Sequence, residues 1–242
     1  SLAAHEEEGI VYESDFTRYT VRSSIDHTSN MNLAFGLNTS IAFTHQNSVP
    51  DQGLYYANPY SAYLISGNPT DPTHNAEGEL LTSIQNQYPN PEYERGLTEQ
   101  SARQIRISAT PYVQVKFLDY FTFKTTNSWD YFSGRDFLYW GPTSNDGSSF
   151  NGYAYRAHNT ISTLTTANTL NYVNTFNDKH NLNVMVGFEA SKSEYDDFSA
   201  DVMNFPNSVL TDFTTAAEEL DTDTNFQEDK LNSYISRAQY NY

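Results

Sequence analysis

The 242-residue chain carries 13 Lys and Arg against 30 Asp and Glu, a formal charge of -17, which excludes a nucleic-acid partner because phosphate neutralisation needs clustered cations. Mean hydropathy is -0.64 and no apolar run reaches the ~18 residues of a membrane helix, yet a membrane strand needs only ~9–11 residues of alternation and leaves the average polar. The absence of Cys removes any disulfide framework or thiolate metal site.

In chain order, the first segment is the tail of a strand over residues 1–7, followed by a connection at Glu8-Gly9. Residues 15–26 alternate, with Thr17, Tyr19, Val21 and Ile25 opposed to Arg18, Thr20, Arg22, Ser24 and Asp26. A turn is expected over 27–30, which is rich in turn-forming residues. The strand over 31–44 is the clearest in the chain: Met31, Leu33, Phe35, Leu37, Ile41 and Phe43 are apolar, and the even positions are small or polar. A connection of nearly sixty residues over 45–101 carries most of the Pro, with short helices expected at 55–65 and 76–84.

Alternation resumes over 102–117, although Pro111 weighs against that strand because it cannot donate to a ladder. Leu118-Asp119 predicts a tight turn into a strand over 120–131, followed by a loop over 133–152. A long strand over 153–176 turns at Asn177-Asp178-Lys179-His180 into the strand of Leu182, Val184, Val186, Phe188 and Ala190. Residues 196–229 read as an acidic loop, and 231–242 as the last strand. From Glu194 to Asp229 there are eleven Asp or Glu and no Lys or Arg, a composition that usually marks a solvated segment. Short turns thus fall at one end of the strands and long loops at the other. Aromatics make up 15% of the chain and many sit near strand ends. Together these features predict an all-β fold: an antiparallel transmembrane β-barrel segment of about eight strands, with short periplasmic turns and long extracellular loops.

Three groups of motifs occur in one order along the chain: Glu8-Gly9-Ile10-Val11 with Asp15-Phe16-Thr17-Arg18-Tyr19; Asn168-Thr169-Leu170-Asn171-Tyr172 with Phe176-Asn177-Asp178-Lys179-His180-Asn181-Leu182 and Gly187-Phe188-Glu189; and Leu231-Asn232-Ser233-Tyr234-Ile235-Ser236-Arg237-Ala238-Gln239-Tyr240-Asn241-Tyr242. With these motifs the chain resembles the TonB-dependent outer-membrane transporters of the SusC/RagA type, which import nutrients in Gram-negative Bacteroidota. The resemblance implies that residues 1–242 are a fragment of a barrel of ~22 strands, without the plug domain or the TonB-contacting segment. It further implies a SusD-like surface lipoprotein as partner, a TonB complex acting through the plug, outer-membrane lipid around the wall, and glycans or peptides as cargo. Two other readings stay open: a self-contained small outer-membrane barrel with a structural or adhesive role, and a soluble carbohydrate-binding β-sandwich.

Chemistry-bearing patterns are sparse. The six His residues lack metal-ligand spacing. No nucleophile elbow or phosphate loop occurs. Paired carboxylates such as Asp196-Asp197 and Glu218-Glu219 fall in an expected loop rather than on a rigid frame, so no enzyme and no cofactor are expected. Asp221-x-Asp223-x-Asn225 resembles the start of a calcium loop, but Phe226 stands where Gly is required and Asn232 where the bidentate Glu belongs. Arg18, Arg22, Arg106, Lys116, Lys124 and Arg237 fall on the inward faces, where Arg18 and Arg106 are candidate substrate contacts. Among the loop aromatics, Tyr55, Tyr60, Tyr139 and Trp140, with Tyr56 and Tyr63, are candidates to stack on sugar rings or pack on a lid protein.

Overall fold

The computed structural model describes residues 1–29, 32–49, 64–65, 67–68, 70–84 and 88–242. Eight long strands form one sheet: β1 (Leu2–Glu8), β2 (Asp15–Ser29), β3 (Leu33–Ser48), β6 (Thr98–Phe117), β7 (Phe121–Trp140), β8 (Tyr153–Phe176), β9 (His180–Met203) and β10 (Glu218–Asn241). Their spatial order follows the chain, every neighbouring pair is antiparallel, and β1 and β10 are the edges. Two short strands, β4 (Ser83–Ile84) and β5 (Tyr88–Pro89), pair with each other inside the connection between β3 and β6.

The hairpins are asymmetric. At one end β6 turns into β7 through Leu118 and Asp119 at φ 50° and 57°, and β8 turns into β9 through Asn177 and Asp178 at φ 51° and 56°. Paired left-handed residues give a turn whose twist matches the flanking strands. At the other end lie the long connections over 49–97, 141–152 and 204–217. Asp119 and Asp221 therefore sit at opposite ends of the sheet, as alternating strand directions require.

Cross-strand register sorts the side chains into two faces. On one face Leu33, Phe35 and Leu37 stand beside Val115, Val113 and Pro111, and Leu182, Val184 and Val186 stand between Asn174, Tyr172 and Leu170 on one side and Tyr240, Ala238 and Ser236 on the other. The opposite face of the same strands carries Asn38, Ser40, Ser108, Thr110, Thr165, Asn171 and Asn183. This is a single layer with its greasy side uncovered: Phe35, Phe43, Trp129, Leu164 and Val186 are all exposed. An exposed apolar face of this extent marks a surface that meets a protein or a membrane. An apolar band is legible on this face over 33–43 in β3, 105–117 in β6, 121–131 in β7 and 182–190 in β9.

Five expectations are corrected. The acidic segment 196–229 is mostly strand: β9 continues to Met203, β10 starts at Glu218, and the loop is only 204–217. Likewise β7 runs on to Trp140, so the loop expected over 133–152 shrinks to 141–152, and β6 begins at Thr98. Beyond the apolar band neither face has to be greasy, so the backbone ladder persists while hydrophobic alternation fades. The turn expected over 27–30 is instead the end of β2, which runs to Ser29. The helix expected over 76–84 is a turn with a His74 to Leu80 bridge leading into β4. The other expected helix, 55–65, lies outside the described residues except for Leu64 and Ile65, which are helical.

Pro111 sits inside β6 opposite Leu37, and the ladder to β7 skips Thr110 and Pro111 without a change of register. A Thr110 to Ser128 hydroxyl contact of 3.2 Å spans the gap. Beyond the band, the long-loop end has its own small core: Tyr139, Ala154, Val202 and Phe205, flanked by Phe137, Phe213 and Ala216. The loop over 204–217 thereby folds back onto the same face of the sheet as the apolar band.

Candidate functional site

The polar face near the long loops is the most heavily functionalised part of the sheet. Odd positions of β9 and β10 place Asp201 opposite both Tyr155 and Asp221, Ser199 opposite Ala157 and Asp223, and Asp197 opposite Asn159 and Asn225. Asp136 of β7 stands level with Ala157. Directly opposed carboxylates repel, and the repulsion is eased by water and by Tyr153, whose hydroxyl donates to Asp201 Oδ1 at 2.5 Å. Tyr195 and Tyr155 complete a wall of carboxylates and phenols.

Across the same face, the β2 to β7 side is cationic. Arg18 is exposed, level with Thr44 of β3 and Gln104 of β6. Arg22 shares a rung with Ser40, Ser108 and Asp130. Arg106 donates to Asp130 Oδ1 at 3.1 Å, with both side chains open to solvent, so the pair adds little stability. Nearer the short turns, the Lys124 ammonium lies 5.0 Å from the centre of the Tyr112 ring. The polar face therefore grades from a predominantly basic side to an acidic one.

Part of the long connection is built onto this end. Asn90 is fully buried; its amide donates to Thr73 O at 2.9 Å and to Leu81 O at 2.7 Å, while its carbonyl accepts from Glu92 N at 3.1 Å. That contact caps a helical turn, Pro91–Glu94. Glu94, 4% exposed, accepts from the backbone N–H of Asn145 at 2.9 Å and so ties this segment to the loop after β7. Burial pushes its carboxyl up to about 7, against the lowering effect of that hydrogen bond, with Asp146 nearby raising it further. A cavity of about 390 Å³ opens beside it, lined by Glu13, Asp15, Arg95 and Glu99 among others. The Arg95 guanidinium lies 4.0 Å from the Tyr12 ring centre, joining the connection between β1 and β2 to this wall.

The sequence-derived candidates divide. Arg18 and Arg106 are on the polar face and solvent-accessible. Tyr55 and Tyr60, with Tyr56 and Tyr63, lie outside the described residues. Tyr139 is 5% exposed and packs edge-on against Phe205 at 5.3 Å between ring centres, on the opposite side of the sheet from Arg18. Trp140 is 7% exposed and lies 4.8 Å from the Tyr153 ring centre. Both rings are spent on packing. Asp221, Asp223 and Asn225 do not form a loop; they alternate along β10, where successive same-face side chains are ~7 Å apart. Among the described residues no group of three or more His, Cys, Asp or Glu converges as metal ligands would. Asp201 escaped the sequence reading because 196–229 read as a loop, and with it went the wall that Tyr153, Tyr155 and Tyr195 complete; the period-2 run Tyr195, Asp197, Ser199, Asp201 is the available signal.

No family model matches the chain, and no curated protein matches it. Solved structures do match. Over 100% of its length the chain superposes on a structure of the RagAB peptide transporter with a TM-score of 0.78 at 18% identity, and on the RagAB peptide importer in the 'closed-closed' state with 0.79 at 19% identity. For the 'open-open' state the values are 0.69 and 18%, over 95% of the chain. The chain spans only 26–28% of those chains. At this identity the likeness establishes the fold: an all-β antiparallel sheet of the kind found in those transporter chains.

Proposed function

We propose that this chain forms part of the wall of a TonB-dependent outer-membrane importer of the SusC type, with the apolar face toward lipid and the polar face lining the conduit. The observation that carries this reading is the division into an apolar and a polar face that runs from β2 to β9 and is clearest in β3, β6, β7 and β9, in a meander with tight turns at one end and long loops at the other. A SusD-like lipoprotein meeting the long-loop end, and a TonB complex acting through other parts of the same protein, belong to the proposal, as does the absence of enzymatic activity. Cargo is a peptide or glycan. The acidic wall of β8 to β10 favours neutral or cationic cargo over anionic cargo, with Arg18, Arg106 and the loop residues Tyr55 and Tyr60 as contacts. Tyr139 and Trp140 contribute by shaping the mouth rather than by touching the ligand.

The 242 residues hold no Cys, so a single thiol introduced among them is read against the same full-length protein without it. With Val209→Cys in the loop after β9, a membrane-impermeant maleimide is expected to label intact cells; with Asp119→Cys it is expected to label only permeabilised ones. Equal labelling of both in intact cells overturns the assignment.

A further inference from the structure

Beyond the apolar band, the first ionisable side chain on that face is basic in each of six neighbouring strands of the sheet: His45 in β3, Arg103 in β6, Arg135 in β7, His158 in β8, Lys192 in β9 and Lys230 in β10. The first four lie on one rung, whereas Lys192 and Lys230 share the rung of Leu164, three same-face positions nearer the short turns. The chain holds 30 acidic residues against 13 Lys and Arg, so the basic rung from β3 to β8 runs against its composition. It also runs against local energetics, because Arg103 and Arg135 are directly opposite one another, between His45 and His158 on the same rung, and like charges repel.

Compensation differs along the row. Lys192 is neutralised by Glu194 at 2.6 Å and Glu228 at 2.9 Å, and Lys230 also pairs with Glu228. Among the described residues Arg103 and Arg135 have no ion pair. The acids nearest them on this face are displaced: Asp196 lies one rung nearer the band on β9, and Glu99 lies two same-face positions farther along β6. Asp212, in the loop, sits close to Arg156. The Nε2 atom of His45 is buried without a hydrogen-bond partner, and His158 Nε2 contacts Ser133 Oγ at 3.0 Å. Between β2 and β7, His45, Arg103 and Arg135 border a cavity of about 540 Å³ that Tyr19, Phe43 and Ile105, at the edge of the apolar band, also line.

We infer that this collar binds the phosphate-bearing headgroup of a lipid in the leaflet at the long-loop end, with Arg103 and Arg135 as the anchoring pair. Two adjacent guanidinium groups match a phosphate through paired N–H donors. The apolar side chains that line the same cavity receive the start of an acyl chain, and the level of their rung is the level of headgroups if the band is the hydrocarbon layer. This inference rests on the membrane reading given above.

The test uses the full-length protein purified in detergent and native mass spectrometry of bound lipid. Probes are bisphosphorylated lipid A, the same lipid with its phosphates removed, and inorganic phosphate. Wild type is expected to retain the phosphorylated lipid in preference to the dephosphorylated one. Arg103→Gln with Arg135→Gln is expected to lose roughly thirtyfold in affinity for it, the effect of two interfacial cations. Removing the same charge from the other face, with Arg22→Gln and Lys116→Gln, is expected to leave lipid retention unchanged. Equal retention by the Arg103 and Arg135 double variant, or displacement of the lipid by inorganic phosphate alone, overturns the inference. A wild type that enters micelles but binds both lipids equally defeats the collar alone, whereas one that does not enter micelles defeats the membrane reading itself.

Discussion

Tyr112 donates its hydroxyl to Asp26 Oδ1 at 2.8 Å, joining residues 86 apart in sequence, and its ring passes over Gly36 to do so. Gly36 lies between them on the same rung. A Cβ there would overlap Asp26 Oδ1 and Tyr112 Cε1. The glycine is thus required by the close approach of two side chains across a strand, and the aromatic ring restores the packing that the glycine lacks.

Replacing that glycine should be costly although the backbone is ordinary extended strand. Gly36→Val is expected to lower stability by about 1–3 kcal/mol through overpacking, read as a lower urea midpoint in lipid vesicles. Tyr112→Phe, which keeps the ring and loses only the hydroxyl contact, should move the midpoint far less. Similar shifts for both variants would reject the steric account.

Phe205 holds the loop over 204–217 to the sheet. It is 1% exposed, against Tyr139, Ala154 and Val202. Phe205→Ala is expected to cost about 3–5 kcal/mol of local stability. Proteolysis should then cut between 204 and 217 while the fragments stay associated through the ladder of β9 and β10. Unchanged cleavage kinetics would show that the loop is held by other means.

Glu94 makes the packing of 91–97 against 141–150 pH-sensitive. Its carboxyl is raised from 4.5 to about 7 by burial, and burial raises Asp146 in the same direction. A group whose folded value exceeds its unfolded value contributes stability that is complete below the unfolded value and lost as pH rises through the folded one. Amide exchange in these two segments, corrected for the intrinsic pH effect, should therefore speed up between about pH 5 and 8. Glu94→Gln, neutral throughout, should flatten that trend.

Leu118 occupies the left-handed region at φ 50° and is 74% exposed, so it bears backbone strain and packs little. Leu118→Asn should stabilise the hairpin of β6 and β7 by about 1 kcal/mol. A fall in the denaturation midpoint would mean that the leucine serves the interface at the turn end.

Where lipid-type burial imposes period 2, the sequence was readable to within a few residues: Leu33, Phe35 and Leu37, or Leu182, Val184, Val186 and Phe188, disclose both strand and face. Beyond the band the same ladders carry Ser, Asp, Thr and Ala on both sides, and nothing apolar marks the register, so β9 and β10 were cut short and their acids assigned to a loop. The polar-face wall was lost with them. Tyr139 and Trp140 were visible as aromatics, but neighbouring residues point to opposite faces, and burial by Phe205 and Tyr153 depends on contacts 66 and 13 positions away that local pattern does not encode.

Strand length sets a further constraint. β8, β9 and β10 have 24 residues each, about 79 Å along the strand and ~60 Å in height at a tilt near 40°. In the proposed membrane orientation the hydrocarbon band takes only ~25 Å of that. The remainder stands as a rigid palisade, so an incoming partner meets hydrogen-bonded backbone well clear of the bilayer rather than a floppy fringe at its surface. Docking there is decided by shape and charge set in a fixed frame, and the entropy of ordering has largely been met when the sheet folds.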